Sequence, residues 1–403
     1  MPGGRRAPID RALREYARVR RHLGPGRDIS FDEAIHVAQR LSRRDFLRLG
    51  GLAGAGAVLA GAGLAGITAA YRLHQAGIVP QVFEARDRVG GRCWSSRDWA
   101  DGQVAEHGGE FIDTRHVHLR VLIDELGLEL RRPVVRLGAG LDGIVELAST
   151  GRLGSLGSRA VPPEIVAFDD MSASDWYSSE VGARSTGLYR LWTQRLAGSY
   201  GLDPEVLGAG NLIDYYAIDY TGGDERYTVR GGNDQVPARI LEELPEGTVT
   251  FGTALESLRA AGDGRLELEF DGVAGQVVAD RVILAVPFTT LRQVDLGDAG
   301  FSDEMRAAVD ELGMGTNAKV LLQFDRPFYT GFGDWSGGLN RGDDPILGTW
   351  ESGSTDGAER LGLLTVYSGG DVGASYGVDE SLRPQGTMTS RRRWRRSSRP
   401  CRA

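Results

Sequence analysis

The sequence predicts an α/β fold, with a central parallel sheet interleaved with a second, α+β unit. Three observations carry this expectation. A G-x-G-x-x-G run, Gly61, Gly63 and Gly66 in "GAGLAG", follows the apolar "GAGAVLA" and opens a helical segment. That helix is expected over Thr68–Ala76, is stopped by Gly77, and leads into "VPQVFEA", which reads as a buried strand. Further on, "TVTFGTALESLRAAGDGRLELEFDGVAGQVVADRVILAVP" alternates with period two between "GDG" and "DG" turns and reads as a β-meander.

The length of 403 residues allows two ordinary domains or one large interleaved enzyme. A hydrophobic fraction of 41% and a charged fraction of 25% are those of a soluble globular chain with a sizeable core. The net charge of −8 argues against nucleic acid as a general partner. Cys93 and Cys401 provide neither a disulfide framework nor a metal cluster. His116 and His118 stand at i,i+2 on an expected helix and point apart, so no metal is expected there either.

Other elements follow from local pattern. Ile9, Leu13, Tyr16, Val19 and Leu23 are spaced for a helix, and Ser30 with Glu33 forms a capping box, so residues 1–41 read as a basic helical leader. Leu119, Leu122, Ile123 and Leu126 share one face of a helix over Val117–Leu128. "TGLYRLWTQRLAG" and "DPEVLGAGNLIDYYAID" read as helices, and "TVRGGNDQVPARILEEL" as a loop leading into one. "NAKVLLQFDRPFY" and "RLGLLTVYSGG" read as strands. Residues 381–403 hold many arginines and no acidic residue, and read as a basic tail without apolar periodicity.

The glycine run has a chemical meaning in this setting. Gly61 permits a tight turn, Gly63 lets backbone approach a pyrophosphate, and Gly66 lets the helix pack on the strand. The phosphates would sit on the helix N-terminus around Leu64 and Ala65. Glu84 stands about twenty residues on, where a carboxylate accepts the ribose hydroxyls. Arg86 leaves open a 2′-phosphate, and so NADP, at this point. "EARDRVGGRCWS" then places Gly90, Gly91 and Arg92 directly after Glu84 and Ala85, and "EHGGEFID" adds Gly108, Gly109 and Glu110.

With these motifs in order, the sequence resembles the flavin amine oxidase family, which includes monoamine, polyamine and L-amino-acid oxidases. The resemblance continues through "DELGL", "RGGNDQVPARI", "TALESLRAAGDGRLEL", "RVILAVPFTTLRQVDL" and "NAKVLLQFDRPFY", covering roughly Gly61 to Tyr376. It implies FAD as cofactor, with Leu255 presenting backbone to the adenine and Pro287 near the nucleotide. It implies a substrate that is a small amine or amino acid, oxidised at its C–N bond with O2 as acceptor and H2O2 as product. Lys319 matches the family's lysine, which holds a water against the flavin N5, and is the expected catalytic residue. His107, before Gly108, is expected to have a packing or substrate-polarity role. A homodimer is compatible with the resemblance. The implied domains are an FAD unit of residues 56–112 and 228–290, and a substrate unit of residues 113–227 and 291–380.

Two departures from the family shape the remaining expectations. "SRRDFLRLGGLAGAGAVLA" resembles a twin-arginine export signal, with Arg43, Arg44, Phe46 and Leu47 before an apolar region. Its residues 42–60 overlap the first strand, so the two uses exclude one another. Relatives would be exported, whereas this chain is expected in the cytoplasm. Seven glycines between Leu49 and Tyr71 argue against stable membrane insertion. The family's closing "AGE" and "GxxEGAxxSG" segments have no counterpart after Asp379, which reads as a truncated end and predicts weak FAD binding. Two alternatives stay open: an FAD-dependent desaturase or protoporphyrinogen-type oxidase, and an inactive remnant.

Overall fold

The computed structural model describes residues 56–114, 116–131, 170–214, 225–328, 337–339, 348–352 and 361–376. The leader, the export-signal residues before 56 and the basic tail lie outside these residues. The organising element is a four-stranded parallel sheet in the order Arg281–Leu284, Ala57–Ala60, Gln81–Glu84, Val249–Phe251. The helix Leu64–Gln75 links the two central strands and completes a βαβ unit. It begins four residues earlier than its apolar spacing predicts, because Gly63 is the N-cap.

"AVLA" has little strand propensity of its own, yet it occupies the centre of the sheet with a partner on each side. Burial explains this: Val58, Leu59 and Ala60 are all buried, and a central strand is stabilised by its neighbours rather than by propensity. The two faces alternate. Leu59 and Val82 pack with Ile67, Ala70, Ile123 and Ile240 of the helices on one side. Val58, Ala60 and Phe83 pack with Leu258, Leu268 and Phe270 of a three-stranded antiparallel sheet on the other. Phe83 and Phe270 stack with centroids 4.0 Å apart. The result is three layers with apolar contacts on both faces of the parallel sheet.

The expected meander is therefore divided. Leu255–Ala260, Leu266–Phe270 and Val277–Ala279 form the antiparallel sheet, while Val249–Phe251 and Arg281–Leu284 join the parallel one. Period-two alternation cannot distinguish these destinations, because both sheets bury one face against the other. The expected helix from Asp203 is also shorter: only Gly210–Asp214 is helical, after a turn bonded from Val206 and Leu207 to Asp203. Gly208 interrupts the earlier part; residues 215–219 lie outside the described ones. Ala173–Glu180 and Asp303–Glu311 are helices that the sequence pattern did not predict, each capped by a serine, Ser172 and Ser302.

A second antiparallel sheet runs Ala318–Phe324, Gly362–Ser368, Gly348–Glu351, Gly337–Leu339. It carries Lys319 near its first edge, paired with Tyr367. Among the described residues no helix is long and apolar enough to cross a membrane.

Leu59 is fully buried at the centre of the parallel sheet. Leu59→Ala is expected to lower unfolding free energy by about 2–5 kcal/mol in a denaturant titration. Val79→Ala, at an exposed site, should stay within about 0.5 kcal/mol.

Candidate active site

The glycine loop separates into positions that the protein needs for itself and one that it does not. Gly61 has φ +97°, and a Cβ there would lie 2.7 Å from the Ala285 carbonyl oxygen. A Cβ on Gly66 would lie 1.9 Å from the Gly61 carbonyl oxygen. Gly63 differs. Its φ of −61° and ψ of 171° suit any residue, and an added Cβ would approach nothing closer than 4.0 Å. The space beside it belongs to a cavity of about 2140 Å³. The helix Leu64–Gln75 starts at this cavity with no side-chain cap and no acidic residue in its first turn. Its free N–H groups and positive dipole end are therefore open to an anion.

Glu84 is buried at the end of its strand. Its Oε2 accepts from the Ala62 N–H at 2.7 Å and its Oε1 from the Arg86 N–H at 2.9 Å. Each carboxylate oxygen has further lone-pair capacity, and Glu84 lines the cavity. Gly61, Gly63, Leu64, Ala65, Ala85, Arg86, Gly90, Gly91, Arg92, Gly109, Leu255 and Pro287 line it too. The strand register shifts between Leu255 and Ser257 at the cavity rim, so a bulge sits where backbone was expected to meet a base. The residues thus suit a dinucleotide: an anion site, a diol acceptor, and room between them.

Four expected site residues lie behind this surface. Gly66 is packed under the loop, and Gly108 is packed where a Cβ would lie 1.7 Å from the Arg92 carbonyl oxygen. Glu110 and Lys319 form a buried ion pair at 3.0 Å, with side-chain exposures of 8% and 12%. Lys319 Nζ also donates to the Gly108 carbonyl at 2.8 Å and the Glu106 carbonyl at 3.3 Å. All three ammonium N–H groups thus have protein acceptors.

Sequence reasoning missed the organiser of this region, Asn233. Its Nδ2 donates to the carbonyls of Gly109 and Glu110, its Oδ1 accepts from the Val229 N–H, and its own N–H donates to Glu106 Oε1 at 2.8 Å. Glu106 was missed as well; its Oε2 accepts from Ser95 Oγ at 2.8 Å. Burial, against only these neutral donors, pushes its carboxyl up to about 7. Burial likewise pushes the Cys93 thiol, which lines the cavity, up to about 12 and keeps it in the unreactive form.

His107 stacks on Trp94 with centroids 4.2 Å apart. Although part of the residue faces solvent, desolvation, followed by the charges of Lys319 and Arg88, holds its pKa below the ordinary value. His116 stands at the N-cap of the helix Val117–Glu125 without capping it through its side chain; its Nδ1 accepts from the Asp113 N–H at 3.0 Å. Among the described residues no group of three or more His, Cys, Asp or Glu side chains is placed to hold a metal.

A profile of the family described as flavin containing amine oxidoreductase matches residues 64–396. The chain belongs to that family. Membership implies a flavin cofactor, and the anion site at Gly63 with the acceptor at Glu84 suits one. The chain is 30% identical to putrescine oxidase of Kocuria rosea over 273 residues, 57% of this chain and 56% of that one. It is 23% identical to lysine-specific histone demethylase 1B of Mus musculus, over 68% of this chain and 35% of that one. The matched part is thus about half or less of these two relatives. Among solved structures, cyclohexylamine oxidase from Brevibacterium oxydans superposes with a TM-score of 0.69 at 21% identity, covering 84% of this chain and 79% of that one. A putrescine oxidase bound to putrescine gives 0.65 at 22%, covering 81% and 78%. At these identities the structures speak for the shared fold.

Lys319 also stands out in the composition. Of 47 Lys and Arg residues, Lys319 is the single lysine. A chain that otherwise uses arginine for every long-chain cation keeps lysine at this one position.

Glu106 makes stability depend on pH in a defined direction. Its carboxyl is raised in the folded state, so its contribution is fully present below the unfolded value near 4.5 and is lost as pH rises through about 7. The loss between these limits is on the order of 3 kcal/mol. Thermal melting across this range should fall more steeply in the parent than in Glu106→Gln; equal slopes would remove Glu106 as the source.

Proposed function

We propose that the chain is an FAD-dependent oxidoreductase. It oxidises the C–N bond of a primary amine or amino acid to an imine, with O2 as electron acceptor and release of H2O2. The observation that carries this reading is the cavity beside Gly63, which leaves room for a pyrophosphate at an uncapped helix start and has Glu84 on the same wall. Bound FAD would accept a hydride from the amine-bearing carbon and pass the electrons to O2.

The residues have distinct tasks in this reading. The N–H groups at Leu64 and Ala65 hold the phosphates. Glu84, fixed by two backbone N–H groups, accepts the ribose hydroxyls, and the backbone at Leu255 meets the adenine. Gly90, Gly91, Arg92, Gly109 and Pro287 shape the remaining wall, with Gly108 and Glu110 packed behind it. Lys319, held behind the cavity wall against the Gly108 carbonyl, is assigned to the reacting end. Its cationic head disfavours a second positive charge nearby, and so favours the unprotonated amine that hydride release requires. A relay through water at Lys319 requires one of its three hydrogen bonds to open.

The substrate class stays broad for a reason. Of the proteins named above, two are oxidases of putrescine and cyclohexylamine and one is a histone demethylase, and a further relative is a flavin-dependent L-tryptophan oxidase of Lentzea aerocolonigenes, 24% identical. Diamine, monoamine and amino acid are all represented.

Flavin titration followed by assays for H2O2 and for ammonia or aldehyde tests the proposal. Gly63→Val should abolish FAD binding, since a branched side chain fills the anion space; full retention of flavin would refute the assigned loop. Glu84→Gln should weaken binding by about 1–3 kcal/mol. Lys319→Met should leave FAD bound and slow its reduction by the amine, and an unchanged rate would remove Lys319 from the chemistry.

A further inference from the structure

Lys319 is held from several directions at once. It lies on the strand Ala318–Phe324, fully paired to Gly362–Ser368. Its three hydrogen bonds converge on one nitrogen from a carboxylate and two carbonyls. A lysine ammonium, compact and tetrahedral, meets such an arrangement; a planar guanidinium does not. This accounts physically for a single lysine in a chain of arginines.

We infer that Glu110 is the positioning residue for Lys319, with Ser352 supporting it from behind. Glu110 is itself fixed at both ends. Its carbonyl accepts from Asn233 Nδ2 at 2.8 Å, its Oε2 from Lys319, and its Oε1 from Ser352 Oγ at 3.1 Å. Ser352 Oγ is hydrogen-bonded in turn to Thr365 Oγ1, and its N–H donates to the Leu363 carbonyl at 2.8 Å. Ser352 and Thr365 are both buried. The chain from Thr365 through Ser352 and Glu110 to Lys319 joins the second antiparallel sheet to the segment that carries Gly108 and Gly109. Removing the carboxylate leaves a buried cation with only neutral acceptors, which the low-dielectric interior disfavours. The lysine then escapes toward solvent or gives up its proton. The geometry stands without any cofactor; only its consequence for amine oxidation rests on the functional reading above.

Because Lys319 is the single lysine, a reagent for side-chain amines reports on this site alone. The full chain, without added flavin, is treated with an N-hydroxysuccinimide ester at fixed pH, and the Lys319 peptide is followed by mass spectrometry. The N-terminal amine is resolved as a separate peptide. Glu110→Gln should acylate about tenfold faster than the parent, as expected when a buried pair loses one partner. Glu110→Asp should restore slow labelling, and Ser352→Ala should fall between. Glu110→Gln labelling at the parental rate while still melting cooperatively would overturn the inference. If Glu110→Gln does not melt cooperatively, Ser352→Ala decides: faster labelling supports the inference and an equal rate overturns it. Failure of the parent to bind flavin would sink the functional reading and leave these rates unaffected.

Discussion

The close approach of Gly66 to the Gly61 carbonyl is the constraint on which the rest of the structure depends. A methyl group on Gly66 would sit 1.9 Å from that oxygen. Only without it can the helix Leu64–Gln75 start directly over the end of its own strand. That start sets three things together. The helix lies flat enough on the sheet for Ile67 and Ala70 to reach Leu59 and Val82. The Ala285 carbonyl closes against Gly61 from the neighbouring strand. The end of the helix points into the cavity, where no side chain caps it and its first turn carries no acidic residue.

Behind that loop, two carboxylates with little solvent exposure are stabilised in different ways. Glu110 faces the ammonium of Lys319, whereas Glu106 receives only a hydroxyl and a backbone N–H. Burial raises the Glu106 carboxyl to about 7, since its two hydrogen bonds offset desolvation only in part and the charges of Glu110 and Asp234 add to the rise. Asn233 ties the two residues together: its N–H donates to the Glu106 carboxylate, and its Nδ2 to the carbonyls of Gly109 and Glu110. The region is thus a satisfied polar cluster, and in such a cluster removing one member leaves several others unpaired.

The cluster also connects parts distant in sequence. Lys319 comes from the second antiparallel sheet and Ser352 from just after its strand Gly348–Glu351, Glu106 and Glu110 from the segment after Arg92, and Asn233 from the turn before the helix Gln235–Glu243. A wall of the cavity, at Gly109 and Asn233, is therefore held by residues that line none of it, such as Lys319 and Ser352.

Sequence alone determined the nucleotide-type loop, the βαβ unit that follows it and the acceptor Glu84. These signals are local: a glycine spacing, a 3.6-residue period and a short apolar run act within about thirty residues. The lone lysine was legible in the same way, by counting. Tertiary structure decided the rest. It made "AVLA" a central strand despite poor propensity, because two partners and two buried faces outweigh intrinsic preference. It divided the expected meander between two sheets, since alternation records that one face is buried and not what buries it. It also brought Glu106, Glu110, Asn233, Lys319 and Ser352 together across more than two hundred residues. No local pattern encodes that meeting, because buried polar partners are selected by the space in which the chain segments converge.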